Sequence, residues 1–383
     1  WDWENHAVVA EKASSLPLHH LAYLDESLES EEPPWTTDFL LEVGHAVFRS
    51  SWDEDAIWGM LVAEAGAARM TLHDHVDGTS FSVAGYGDYL LIDTGYYKID
   101  EWALPETADA DAHNVILIDG QGAPDKGPLH DFGDADASLE NTFDGQTFDY
   151  AEAWQTYEQT EIQRSMVFVR ERYFVIADRL ETTLTESRSH AWRVHAFAGY
   201  GAGGTFTVEQ DGLTVEQDNG SAQVYLTSTG GAPTMTEPEY NELVAPHVHK
   251  FERSVGVNHH GVVDGIVEET APDFLAVIAP FRTGTETGDP DGPLVVTAVE
   301  NDGAGAAWLV ESEHGVDLVW LRETDHESQL VVSDLGTFET DAALVIYGVN
   351  DGATLLVRGS SLSVDEQTVA TADATDGAIE VSQ

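Results

Sequence analysis

The segment Leu72-His73-Asp74-His75-Val76-Asp77-Gly78 sets polar side chains at alternate positions 73, 75 and 77, which an extended chain points to one side. Downstream, Leu90-Leu91-Ile92-Asp93-Thr94-Gly95 ends an apolar run on an acid, and Ala112-His113-Asn114-Val115 sets a polar pair directly before another apolar run. His, Asp and His on neighbouring strand ends can meet at one point. Two imidazoles and a carboxylate suit Zn2+, with water or another group as fourth ligand. With 16 histidines and 70 acidic residues, chance groupings of this kind are common, and unliganded surface side chains are the competing reading.

Other side chains have a chemical reading beside a plain one. His247, His249, His259 and His260 have metal-ligand chemistry, but exposed loop or strand histidines are the commoner outcome. His195, in Trp192-Arg193-Val194-His195, sits in a strand and either faces a cleft or is a hydrogen-bonded sheet histidine. Tyr96 and Tyr97 follow Asp93 closely and suit stacking on a sugar, as they suit a core or rim. Arg49 and Arg193 suit a substrate carboxylate, and an ion pair with one of the many acids competes. Asp77 before Gly78 also reads as a turn acid, and Asn219-Gly220-Ser221 reads as an Asn-Gly turn before it reads as a glycosylation sequon.

These residues need a scaffold, and the apolar periodicity predicts one made of strands. Residues 1 to about 30 have helical character, with Leu21, Tyr23, Leu24 and Leu28 continuing an apolar spacing until Glu32-Pro33-Pro34 breaks it. From about residue 40 the period becomes two. Ala46 to Trp52 opens a series of short strand candidates that includes Ile57 to Ala63, Ser80 to Ala84, Tyr89 to Asp93, Asn114 to Ile118, Ser165 to Val169, Tyr173 to Ala177 and Ala191 to Ala196. It continues through Gln223 to Leu226, Phe274 to Ile278, Leu294 to Val299, Ala307 to Val310, Asp317 to Leu321, Gln329 to Val332, Ala343 to Tyr347 and Thr354 to Val357. Gly, Asp and Asn turns separate them. The expectation is a mainly β chain: a large antiparallel β-sandwich with a short N-terminal helical segment. The expected division is 1–43 helix and linker, 44–285 sandwich with the metal site, and 286–383 a further sheet subdomain, with Thr283 to Pro293 as a boundary or a long hairpin loop.

Composition narrows the partners. A formal charge of -54 together with 10 Trp, 12 Tyr and 14 Phe spread along the chain describes a folded protein under a carboxylate-covered surface rather than a disordered one. Such a surface stays hydrated in concentrated salt and repels itself in dilute salt, which points to a halophilic source. Nucleic acid and anionic membranes are repelled. An acidic polysaccharide is repelled too, except in molar salt, where the Debye length is about 3 Å. The chain has no cysteine, so disulfides and thiolate metal sites are excluded, and no run of about 18 apolar residues predicts a membrane span. It begins at Trp1 without a signal peptide, which reads as a mature product or a fragment.

The order of the polar pieces resembles the heparinase II/III-like polysaccharide lyase family, including its alginate-lyase relatives. The family's His-x-His-x-Asp looks like His73 to Asp77 here, its Gly-bearing strand ending in Asp-x-Gly like Gly85 to Gly95, and its Ala-His-Asn like Ala112 to Asn114. Phe48-Arg49-Ser50-Ser51-Trp52 looks like its opening strand. The resemblance is sharp from about 44 to 122, diffuse from Arg164 to His195 and architectural beyond. It implies that His75, Asp93 and His113 bind a mainly structural zinc and that His73 faces the cleft and acts on substrate. It also implies that Asp77 stands behind the ligands, orienting an imidazole through its other nitrogen. Tyr96, Arg193 and His195 are then the substrate-binding candidates.

The chemistry implied is β-elimination on a uronic-acid polysaccharide. The substrate carboxylate is neutralised, a Tyr or His base removes the C5 proton, and an acid protonates the leaving oxygen. His73 suits base or neutraliser, since an imidazole titrates near working pH. The family's lyases also carry an α/α toroid supplying a catalytic Tyr, an Asn or Glu and another His. About 40 residues precede the first strand here, enough for one last toroid helix, so the chain reads as a fragment, a partner of a separate toroid or a sandwich that has lost catalysis. Self-association through the exposed sheet face is the other expected contact, and an extracellular or cell-surface location follows from the substrate. A non-catalytic zinc-bearing sandwich for carbohydrate binding or surface assembly is the alternative. A glycoside hydrolase with paired carboxylates ranks last, because no strand-end Glu pair stands out.

Overall fold

The structure is a computed structural model, and it describes residues 32–66, 75–94, 108–124, 136–196, 204–244, 257–299, 304–323, 329–373 and 376–381. The span from Thr37 to Gln383 forms one compact unit, and Trp1–Thr36 a separate one. Residues 1–31, read as helical above, lie outside the described residues.

Four antiparallel sheets lie in layers. Sheet A holds β1 (Asp38–Leu40), β2 (His45–Arg49), β3 (Trp58–Val62), β4 (Phe81–Gly85), β5 (Asp88–Leu91), β6 (Ile116–Ile118), β11 (Arg188–Ala196), β15 (Thr234–Met235), β16 (Glu239–Val244) and β17 (Val257–Glu269). Sheet B holds β7 (Ala137–Asp144), β8 (Phe148–Tyr157), β9 (Thr160–Val169), β10 (Tyr173–Thr182), β12 (Thr205–Glu209), β13 (Gly212–Glu216), β14 (Gly220–Ser228) and β18 (Phe274–Arg282). Sheet C holds β19 (Val295–Ala298), β20 (Gly305–Ser312), β21 (Gly315–Arg322), β24 (Leu344–Gly348), β25 (Thr354–Val357) and β28 (Ala378–Val381). Sheet D holds β22 (Gln329–Val332), β23 (Gly336–Thr340), β26 (Ser361–Val364) and β27 (Gln367–Thr371). β1 falls inside the stretch expected to be linker. The change from sheets A and B to sheets C and D falls between Arg282 and Val295.

Period-two alternation explains the stacking. Along β9 and β10, Met166, Phe168, Phe174 and Ile176 face the core shared with sheet A, while Val167, Val169, Val175 and Ala177 face the core shared with sheet C. Sheet C repeats the pattern: Val319 and Leu321 join the core shared with sheet B, and Leu318 and Trp320 the core shared with sheet D. Strands buried on both faces read as unbroken apolar runs, which is why β9, β10 and β18 stood out in the sequence. The strands that did not stand out are β1, β7, β8, β12, β13, β15 to β17, β23 and β26 to β28. Most are half-exposed, interrupted by acids or rich in Gly and Thr.

Candidate metal centre

Short backbone hydrogen bonds place the three expected ligands. Val76 N–H donates to the Ala108 carbonyl at 2.8 Å and Thr79 N–H to that of Val62 at 2.8 Å, which anchors the segment carrying His75 ahead of β4. A Cβ on Gly78 would stand 2.4 Å from Gln155 Nε2, so a larger residue there requires that side-chain amide to move. Asp93 lies two residues past the end of β5, just after Ile92 N–H donates to the His195 carbonyl at 3.0 Å. His113 closes a single 3-10 turn, Ala110–Ala112, immediately before β6.

The three side chains converge: one ligand atom from each of His75, Asp93 and His113 lies within 4.8 Å of the others. His113 Nδ1 is 2.6 Å from Asp93 Oδ2, and the two imidazole rings are 5.3 Å apart at 43°. His113 is fully buried, and its Nε2 has no hydrogen-bond partner among the described residues. Burial alone would lower the pKa of this imidazole. The charge and hydrogen bond of Asp93 outweigh it, helped by Asp77 and Asp111, and push it up to about 9. The pocket is therefore built to hold a positive charge beside a buried nitrogen. A proton can meet that demand, and so can a divalent metal. Two imidazoles and a carboxylate with a fourth position open match the donor preferences of zinc, and a buried imidazole nitrogen without a partner costs free energy until something binds it. The residues present fit the ion.

Behind the ligands stands a polar framework. Asn114 Nδ2 donates to the Phe81 carbonyl at 2.7 Å and the Ile92 carbonyl at 3.0 Å, and its Oδ1 accepts the His195 backbone N–H at 2.7 Å. The amide thus ties β4, the exit of β5 and β11 together at the residue next to His113. His195 is buried, with Nδ1 3.1 Å from the same Asn114 oxygen. Arg193 grips Asp264 through both arms, at 2.8 and 2.7 Å, and donates to the Asp111 carbonyl at 2.9 Å. A substrate carboxylate would have to displace Asp264 to use it. Asp77 is half-buried, and its charge acts on His113. His73, Tyr96, Tyr97, His247 and His249 lie outside the described residues. His259 and His260 are on β17.

Sequence reasoning passed over Arg164 and Asp178. Both are fully buried, joined at 2.6 and 3.0 Å, and Trp192 Nε1 donates to the same carboxylate at 2.9 Å. The remaining arm of Arg164 donates to the carbonyls of Thr79 (2.8 Å) and Asn114 (2.7 Å), so one guanidinium clamps the segment of His75 to that of His113. The signal lay in the hairpin: Val169 faces Tyr173, and counting back along the register puts Arg164 opposite Asp178.

With fold and site in view, comparison places the chain. The family described as Heparinase II/III-like, C-terminal matches residues 32–257, more than half of the sequence, and the chain belongs to it. Solved structures share the fold at low identity. A heparinase III is 17% identical with a TM-score of 0.58 over 82% of this chain and 46% of its own. Heparan sulfate lyase HepC from Pedobacter heparinus is 16% identical with a TM-score of 0.56 over 84% and 48%. A further heparinase III structure is 13% identical with a TM-score of 0.58 over 81% and 48%. This chain thus spans about half the length of these proteins. No curated protein matches it.

Proposed function

We propose that this chain is the metal-bearing β-domain of a polysaccharide lyase that cleaves a uronic-acid-containing polysaccharide by β-elimination, with zinc held by His75, Asp93 and His113. The observation that carries the reading is the convergence of these three side chains, together with a buried His113 Nε2 that has no partner among the described residues, in a member of the Heparinase II/III-like, C-terminal family that shares its fold with a heparan sulfate lyase. Bound there, zinc would tie the ends of three segments of sheet A together and add positive charge to their surface. Asp77 supports an imidazole of the ligand set, and Asn114 and His195 hold the backbone that presents His113. His73, two residues before His75, removes the C5 proton or neutralises the adjacent carboxylate, and Tyr96 packs against a sugar. The carboxylate-rich surface suits work in concentrated salt outside the cell or at its surface. No helix among the described residues is long and apolar enough to cross a membrane, which says nothing of a β-barrel.

The test is metal analysis combined with the ultraviolet absorbance of unsaturated products in high salt on alginate, heparan sulfate and hyaluronan, with His73→Ala and His113→Ala beside the wild type. About one zinc per chain, lost in His113→Ala, with turnover lost in His73→Ala, supports the lyase. Zinc with no turnover on any polymer favours the second reading, a non-catalytic carbohydrate-binding or assembly module, or a domain that acts only with an α/α toroid. A chain without zinc defeats the site.

A further inference from the structure

In a chain with 70 acidic and 16 basic residues, every cation should find an anion. Each of the other described arginines donates to a carboxylate or a backbone carbonyl. Arg49 has neither among the described residues. Its guanidinium lies 4.4 Å over the ring of Trp52, and its buried Nε has no hydrogen-bond partner. Burial lowers its pKa, and no carboxylate raises it again.

The sheet register shows where Arg49 points. Ala46 and Phe48 of β2 face the core between sheets A and B, so Arg49 faces the outer side of sheet A. Residues directly opposite on antiparallel strands share a face. Arg49 is opposite Trp58 on β3, Trp58 is opposite Ala84 on β4, and Ala84 is opposite Tyr89 on β5. One row across the sheet therefore reads guanidinium, indole, methyl, phenol. Tyr89 is 72% exposed. At one strand spacing per step, Tyr89 stands about 10 Å from Trp58 across the Ala84 methyl, next to a register shift in the β4–β5 pair. Arg49 adjoins Trp58 on its other side, so the row sets a cation without a carboxylate among the described residues beside an indole, with an exposed phenol two strands further on.

We propose that this row is a binding site for an anionic sugar, with a uronic-acid ring against the Trp58 indole, its carboxylate on the adjacent Arg49, and Tyr89 meeting the next sugar of the chain. Aromatic faces cover the apolar face of a pyranose, and the planar guanidinium takes a carboxylate through two parallel hydrogen bonds. Tyr89 precedes Asp93 by four residues, so this end of the row lies roughly 13 Å along the strand from the candidate metal centre and is a separate site. The choice of a uronate as ligand rests on the proposed function, whereas the row does not depend on the metal.

Calorimetric titration with alginate oligosaccharides and with their carboxyl-reduced counterparts, in molar salt, tests it on the whole chain. Zinc content is measured on the same samples with and without chelator, so a failed metal reading leaves the binding result intact. The wild type should bind the uronate about tenfold more tightly than the reduced sugar. Arg49→Gln should erase that preference, and Arg49→Lys should restore part of it. Tyr89→Ala, at an exposed position that packing does not constrain, should weaken both ligands about fivefold. Chelation should change none of these ratios. Absence of binding by the wild type, equal affinity for the two sugars, or unaltered affinity in both Arg49→Gln and Tyr89→Ala would overturn the proposal.

Discussion

The part of the chain that forms sheets A and B buries Arg164, Asp178, His113, Asn114 and His195, whereas in residues 294–381 the buried polar side chains among the described residues are Asp317, Thr340 and Thr354. Both regions are closed on either face by apolar side chains, so the contrast does not come from a shortage of hydrocarbon. Burying an ion costs several kcal/mol before its partner returns anything, and apolar replacements of similar volume are often as stable. A core that carries an ion pair is therefore purchasing geometry rather than stability. Here the geometry is the clamp of Arg164 on Thr79 and Asn114, which fixes the two backbone segments that present His75 and His113. In the last two sheets nothing needs such placement. The buried carboxylate there, Asp317, is met by Arg170 at 3.1 Å and the Tyr173 hydroxyl at 3.0 Å, and so fastens sheet C to sheet B.

Removing one half of the ion pair should show the difference most strongly. Arg164→Met leaves Asp178 buried without its cation and should cost about 4 kcal/mol in urea denaturation, with loss of bound zinc. The double variant Arg164→Met/Asp178→Leu should regain most of the stability and none of the metal affinity, because the Thr79 and Asn114 carbonyls stay unclamped. Recovery of zinc in the double variant would reduce Arg164 to a neutraliser of Asp178. Leu356→Ala, in the core between sheets C and D, should cost about 3 kcal/mol and leave metal content unchanged. Zinc lost there as well would mean that the two regions are not separable.

The same contrast decides what the sequence made legible. β9, β10 and β18 could be read directly because both of their faces are apolar. β8, Phe148 to Tyr157, was invisible although it is just as deeply placed, because Glu152 interrupts its run. In the structure that carboxylate is fully buried and accepts hydrogen bonds from Tyr150 at 2.6 Å and Gln163 at 2.9 Å. The grouping of His75, Asp93 and His113 needed no tertiary knowledge, because each stands beside a strand end, where a short motif records position. The clamp behind them did. Arg164 reaches Thr79 across 85 residues and Asn114 across 50, and no local pattern encodes such contacts. Arg193 had the right chemistry for a carboxylate and found one inside the chain, Asp264 on the facing strand β17.

Metal removal probes the first region alone. With free zinc about 100-fold above its dissociation constant, binding to the folded state adds about 2.7 kcal/mol, so a chelator should lower the unfolding free energy by that amount. His113→Ala should be less stable than the wild type and blind to the chelator. A chelator effect that survives in His113→Ala would place the ion elsewhere.

The smallest expected effect lies where the two regions meet. Asp273, just before β18, accepts the Leu180 N–H at 3.0 Å, and Arg179 beside it donates to the carbonyls of Arg322 and Ala343 at the ends of the central strands of sheet C. Burial raises the Asp273 carboxyl to about 6, against the lowering influence of Arg179 and of the Leu180 N–H. A raised acid binds its proton more tightly in the folded chain, so its contribution favours folding below the ordinary value near 3.8 and is lost as pH climbs through about 6. Asp273→Asn keeps an oxygen for Leu180 and has no charge to desolvate. The stability of wild type relative to this variant should therefore fall by up to about 2 kcal/mol between pH 4 and 6 and stay level above. Taking the difference cancels the titration of the remaining acids, which the two proteins share. A difference that rises with pH would mean that Arg179 stabilises the ionised carboxylate more than burial penalises it, and the seam between sheets B and C would then be held by an ion pair like that of Arg164 and Asp178.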